Sequence, residues 1–243
     1  MTTTAGESPG EDYPGGTAEL PSDAVLAAFF GDRAPLALAF AAHLATSGAS
    51  RGLIGPREVP RLWTRHLLNC AALAPLLPAG GHIVDVGSGA GLPGLVLAVA
   101  RPDVQVTLVE PLLRRVTWLH EVLDDLQLDG VEVLRARAEE VRGMTADVAT
   151  SRAVAALDRL SGWCLPLVRE GGTMLAIKGQ TAPDELEQAE PLLRSLGAIS
   201  WSVRELGGDV LEEPTTVIEV LKGSLPTAPR PAGVRTARDR RRR

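Results

Sequence analysis

A chain of 243 residues with 45% hydrophobic content can bury one sizeable core and still carry a small extension. Aromatics are only 3%, so that core must be aliphatic; two cysteines and four histidines without ligand-like spacing exclude a disulfide framework and predict no metal. Net charge is −5, but Ser224 to Arg243 holds seven arginines and one aspartate (+6), which leaves −5 − 6 = −11 on the rest.

An acidic body with a basic end is the asymmetry expected of a tail that touches nucleic acid, and also of a solubilising tail. The N-terminus lacks a basic-then-apolar signal, and no apolar run reads as membrane-spanning. A cytosolic, monomeric protein without membrane contact is expected. In chain order, residues 1–20 are rich in Thr, Gly, Pro and Glu and predict disorder. Ser22 or Asp23 caps a helix over Ala24 to Phe30. Ala34 to Thr46 and Glu58 to Leu77 have helical spacing, the latter with Pro60 in its first turn. Cys70 and Cys164 sit in apolar helical patterns and read as small buried hydrophobes. Residues 21–79 thus form a helical extension before the first strong strand.

From His82 the pattern alternates strand and helix, the signature of a doubly wound sheet over residues 80–222. The predicted strands are Ile83–Val86, Val104–Val109, Val131–Arg135, Asp147–Thr150 and Thr173–Ile177. Helices are predicted at Leu92–Ala100, Leu112–Leu126, Ala155–Leu167 and Pro183–Leu196. Ala198–Glu205 and Thr216–Leu221 have no helix between them, which predicts a terminal antiparallel hairpin. Residues 223–243 are Pro- and Arg-rich and are predicted to fray.

The stretch His82 to Gly94 carries the main motif. Ile83, Val84 and Val86 suit a buried parallel strand. Gly87, Gly89 and Gly91 let the turn approach a ligand. Gly89-x-Gly91-x-x-Gly94 fits the dinucleotide fingerprint, which is weak alone. Asp85-x-Gly87-x-Gly89-x-Gly91 fits motif I of the methyltransferases that use S-adenosyl-L-methionine (AdoMet). A pyrophosphate wants a bare helix N-terminus, whereas the ammonium of AdoMet is attracted to a carboxylate. Asp85 therefore favours AdoMet over a nicotinamide cofactor. Glu110 closes the next strand roughly 20 residues on, where an acid accepts both ribose hydroxyls; that feature suits either cofactor.

Three clusters fall at later strand ends, where such folds hold ligands. Ala138-Glu139 follows the third strand and can bracket an adenine; otherwise Glu139 is a surface acid. Arg152 follows the fourth and faces the cleft, where it suits a carboxylate, a phosphate or a guanine; otherwise it pairs with Asp158. Lys178 and Gln180 flank Gly179 after the fifth and suit phosphate or a base edge. Arg65 and His66, upstream, are candidates for RNA contact, or else a solvated arginine and a half-buried histidine. Trp63 reads as core or as a base-stacking platform.

Arg65-His66-Leu67-Leu68-Asn69, the glycine motif through Gly94, Ser151-Arg152-Ala153 and Ala176-Ile177-Lys178-Gly179-Gln180 occur in that order. In this they resemble ribosomal RNA small subunit methyltransferase G, also called glucose-inhibited division protein B, from about Asp23 to Lys222. The resemblance implies a class I Rossmann-like fold, a seven-stranded mostly parallel sheet. It implies transfer of methyl from AdoMet to N7 of one guanine in 16S rRNA of the small ribosomal subunit. By similarity the cofactor contacts fall on Gly87, Leu92, Ala138, Glu139 and Arg152, with Glu110 on the ribose and Asp85 and Gly89 in the motif. Arg152 and Lys178 then position the guanine, without a general base. The chain departs from the family at Arg51-Gly52-Leu53-Ile54-Gly55, where the family commonly has Asn-Leu-Thr; RNA contact from that loop is therefore in question. The alternatives are a methyltransferase acting on a small molecule or a protein, and a non-catalytic nucleotide-binding regulator.

Overall fold

The computed structural model describes residues 18–223. The predicted tails 1–20 and 223–243, arginine cluster included, fall almost wholly outside the described residues.

The elements are α1 (Asp23–Phe30), α2 (Ala34–His43), α3 (Leu68–Ala71), β1 (His82–Val86), α4 (Gly94–Ala100), β2 (Gln105–Val109), α5 (Leu113–Leu126), β3 (Val131–Leu134), β4 (Ala146–Arg152), α6 (Leu157–Cys164), β5 (Val168–Ile177), α7 (Ala182–Ser195), β6 (Ala198–Leu206) and β7 (Thr215–Lys222). The strands form one seven-stranded sheet in the order β3-β2-β1-β4-β5-β7-β6. β1 to β5 pair in parallel, while β7 runs antiparallel to both β5 and β6. The strand order reverses between β1 and β4, and the crevice beyond their carboxyl ends is where such sheets bind ligands.

Alternation along the strands explains the layering, because successive side chains leave opposite faces of a sheet. Ile83, Val106, Leu108, Val148, Leu175 and Ile177 pack on one face with α4, α5 and the N-terminal helices. Val84, Val109, Ala149, Met174, Ala176 and Ile218 pack on the other with α6 and α7. Both faces are covered, so these strands read as continuous apolar runs. Cys70 and Cys164 are buried free thiols; burial pushes Cys70 up to about 12, so it stays protonated at neutral pH.

Two expectations for the N-terminal region need correction. The uniform helix over Glu58 to Leu77 is instead 3₁₀ at Pro56–Arg61, π at Leu62–Leu67, α at α3 and 3₁₀ at Ala74–Leu76. Pro60 lies within the 3₁₀ stretch, and a proline lacks the N–H a regular helix needs. The helical run Asp23–Gly48 is also long and apolar enough, by length and composition, to cross a membrane. Its composition explains this. Leu26, Phe30, Phe40 and Leu44 are buried in the core, whereas the solvent side includes Ala24, Ala27, Ala28 and Ala42. Alanine counts as apolar but covers little surface. α5 is bound to this run by Trp118 Nε1, which donates to Ser47 Oγ at 2.8 Å.

Candidate active site

The turn after β1 carries the glycine motif. Gly87, Gly89 and Gly91 have φ of +72°, +58° and +77°, the left-handed region that a Cβ penalises. A Cβ on Gly87 would lie 2.8 Å from Val154 Cγ2, and one on Gly91 2.5 Å from Leu95 Cδ1. The turn is tied to β2, since Gly87 N–H donates to Val109 O at 2.9 Å. Beyond β2, Glu110 is almost wholly buried. Its Oε2 accepts from Gly89 N–H at 3.0 Å and from Arg115 Nη1 at 3.4 Å. Its Oε1 accepts from Leu112 N–H at 2.9 Å. A carboxylate has about four acceptor positions; three are taken, so one is left for a ligand hydroxyl.

These groups face a cavity of about 560 Å³, within the range usual for small-ligand sites. Gly87, Gly89, Leu92, Glu110, Ala138, Glu139 and Arg152 all line it. Seven of the eight residues expected at a cofactor therefore share one cavity. Leu53, Ile54, Arg115 and Trp163 line it as well and were not foreseen. Leu53 and Ile54 come from the loop that departs from the family, so that loop walls the cavity with aliphatic side chains. Arg115 follows Glu110 by five residues, a pairing that helical spacing alone does not flag.

Asp85 is the exception. It is completely buried and does not line the cavity. Its Oδ2 accepts from Gly94 N–H at 2.9 Å, and its Oδ1 has no partner. Burial pushes its pKa up to about 7, against the pull of the Gly94 N–H and Arg152. The expectation of direct attraction to an ammonium is therefore corrected: the acid holds the start of α4.

Arg152 is reached through the N-terminal layer. Its Nη1 donates to Arg65 O at 3.2 Å and its Nη2 contacts His66 Nδ1 at 2.7 Å. Arginine has no acceptor, so Nδ1 must accept, and the ring proton sits on Nε2. That nitrogen lies 2.9 Å from Glu58 Oε2. Burial and the Arg152 charge hold His66 down to about 4, so it is neutral at pH 7. Arg152 is therefore held by two neutral acceptors, and its bonds do not run to Asp158. Nothing in the local pattern marks Glu58, which lies eight residues before His66 across a break in helix type.

Lys178, expected to be equivalent, is not. Its Nζ donates to Ala155 O and Glu185 Oε2, both at 2.7 Å, and its side chain is 8% exposed. Glu185 also accepts from Leu157 N–H at 3.0 Å, which joins the starts of α6 and α7. Lys178, Gln180 and Arg65 line a second cavity of about 1080 Å³, between the N-terminal segments and the β5–β7 edge. His66 lies between the two cavities in its contacts, but lines neither. Among the described residues, no group of three His, Cys, Asp or Glu side chains has the arrangement of a metal site.

A family model described as rRNA small subunit methyltransferase G matches residues 33–213. The chain is 57% identical over 195 residues to the ribosomal RNA small subunit methyltransferase G of Arthrobacter sp. (strain FB24), covering 80% of this chain and 90% of that one. To the protein of the same name from Thermobifida fusca (strain YX) it is 48% identical over 233 residues, 92% of this chain and 98% of that one. Among solved structures, it resembles an O-methyltransferase from Thermotoga maritima described as SAM-dependent (TM-score 0.54, 17% identity, 71% of this chain and 72% of that chain). It also resembles M. jannaschii TYW2 in complex with AdoMet (TM-score 0.51, 15% identity, 64% and 74%). At such identities the structural likeness speaks for the fold alone, which is the one expected.

Proposed function

The chain belongs to the rRNA small subunit methyltransferase G family, and from that membership we propose that it methylates N7 of a guanine in 16S rRNA, with S-adenosyl-L-methionine as donor and a small-subunit particle as substrate. The observation that carries the reading is the gathering of the glycine turn, Glu110, Ala138, Glu139 and Arg152 around one cavity at the topological switch point. The cavity fits this cofactor. Glu110 retains one acceptor position for a ribose hydroxyl, and the left-handed backbone at Gly89 turns the chain along the cavity. Leu92, Leu53 and Ile54 give an apolar wall for an adenine. When bound, AdoMet supplies an electrophilic methyl on a sulfonium sulfur.

The acceptor sets what the protein must do. Guanine N7 has an in-plane lone pair and no proton, so no general base is needed. Alignment and a pre-arranged polar site supply the rate. Arg152 suits that task, because its fork is fixed by Arg65 O and His66 Nδ1 before substrate arrives. Lys178 acts one step removed: through Ala155 O and Glu185 it fixes the starts of α6 and α7. The acidic body disfavours tight binding to naked RNA and favours a folded particle.

The test is methyl transfer from labelled AdoMet into small-subunit particles lacking the modification, with the product base mapped. Label in 7-methylguanine at a single 16S position is expected. Label confined to metabolites or protein, or at another guanine atom, would reject the reading.

A further inference from the structure

The hydrogen bonds behind Arg152 continue past the cavity wall. Its two contacts come from the N-terminal layer, a carbonyl oxygen at 3.2 Å and the His66 ring at 2.7 Å, and neither is a carboxylate. The carboxylate stands one imidazole away, with Glu58 Oε2 at 2.9 Å from His66 Nε2. The contact with His66, and after it the one with Arg61, holds the Glu58 carboxyl below its ordinary range, so it is ionised at neutral pH. The neutral ring is thus gripped between a group that only accepts and a group that only donates. With Nε2–H towards Glu58, Nδ1 presents its lone pair to Arg152, and no other neutral form satisfies both. Neither Glu58 nor His66 lines either cavity.

Lys178 shows what a direct acid does. Glu185 touches its ammonium at 2.7 Å, and an anion that close competes with any electron-rich ligand for the cation. At the neighbouring strand end the imidazole keeps the acid off the guanidinium and still transmits its orientation. The change of winding from 3₁₀ at Pro56–Arg61 to π at Leu62–Leu67 brings residues 58 and 66 together, and π turns recur at functional sites. We propose that Glu58 is a positioning residue for methyl transfer: it accepts the Nε2 proton of His66 and so sets the ring that aims the Arg152 fork at the guanine. The inference rests on the rRNA methyltransferase reading above and adds to it a residue outside both cavities.

Glu58→Met removes the acceptor and keeps the bulk. It should lower kcat for the 16S particle about tenfold, the worth of one hydrogen bond, with KM and S-adenosylhomocysteine affinity unchanged. The loss is smaller than for Arg152→Ala because Arg65 O still holds the fork. Glu58→Gln should recover most of it, since the amide oxygen still accepts from Nε2–H. In an Arg152→Ala background Glu58→Met should change nothing further, because Glu58 acts only through that arginine. A loss of the same size in that background, or a Glu58→Gln protein as slow as Glu58→Met, would overturn the relay. Heteronuclear NMR of isotope-labelled histidine reads the ring without turnover. The Nε2–H form of His66 should persist in Arg152→Ala and give way to mixed forms once Glu58→Met is added. A ring released by Arg152→Ala alone would mean that the arginine sets the imidazole, and would overturn the proposal as well. If the wild type labels no 16S guanine while the ring behaves as stated, the function reading fails and the control of His66 by Glu58 stands. If methyl transfer occurs and the ring ignores Glu58, the relay fails alone.

Discussion

The two cavities meet at one arginine contact and are built on opposite principles. In the first, the polar groups that line the site are satisfied from within: Glu110 by two backbone N–H groups and Arg115, Arg152 by a carbonyl and a neutral imidazole. Of the residues that line the second, three keep a buried polar atom without a protein partner. A site satisfied internally is rigid before its ligand binds, and its groups stabilise the fold while they serve the ligand. Substitutions should therefore cost both properties in the first region.

The largest effect should come from Arg152. Arg152→Ala should lower kcat by about 100- to 1,000-fold while changing S-adenosylhomocysteine affinity by less than about tenfold. Arg152→Lys should recover little, because one ammonium cannot reproduce the fork to Arg65 O and His66 Nδ1. Equal losses in kcat and cofactor affinity would shift Arg152 from substrate to cofactor. Next is Lys178. Lys178→Met strands the partly buried Glu185 carboxylate and should cost about 2–3 kcal/mol in urea unfolding, at the low end for a broken buried pair. Adding Glu185→Gln should restore most of that. A Lys178→Met protein that melts normally but transfers no methyl would make Lys178 a substrate contact, and would blur the contrast between the two arginine- and lysine-bearing strand ends.

A smaller effect is expected at Glu110. Glu110→Gln keeps one acceptor oxygen and should weaken S-adenosylhomocysteine binding about tenfold by calorimetry. A pH slope of stability completes the set. His66 is held below its ordinary value, so the unfolded chain binds the proton better. The stability it contributes is present above about pH 6.5 and is lost as pH falls towards about 4. Asp85 runs the other way: its pKa is raised to about 7, so its contribution is full below about pH 4 and is lost as pH rises towards 7. Urea unfolding of His66→Asn and Asp85→Asn should remove slopes of opposite sign from the wild-type curve. Slopes of the same sign would refute the assignment.

The fold was legible because alternation is local. Strand positions such as Ile83 and Val84 declare their faces by parity, and the missing helix between β6 and β7 declared the hairpin. The cofactor cavity was legible because its residues cluster at strand ends. What stayed hidden depends on contacts between distant segments. Glu58 meets His66 only because the chain passes from 3₁₀ to π geometry between them, a change no periodicity records. Lys178 looked like Arg152 in sequence, but Glu185, seven residues on, neutralises it. Asp85 sat beside the turn in sequence and beneath it in space. Trp63 and Asn69 of the N-terminal layer line one cavity with Thr215 of β7, which no local pattern records.

Gly94 marks a limit of reading ligands from glycines. A Cβ there would fall 2.3 Å from Leu108 Cδ2 and 2.8 Å from Asp85 Oδ2, so only hydrogen fits where α4 leans on the sheet. The third glycine of the dinucleotide pattern is thus a spacer between two layers, set by the fold whatever it carries. Two unrelated cofactors can share that signature for a reason that involves neither of them. Telling such chains apart then falls to other side chains that reach the cavity, Arg152 first among them.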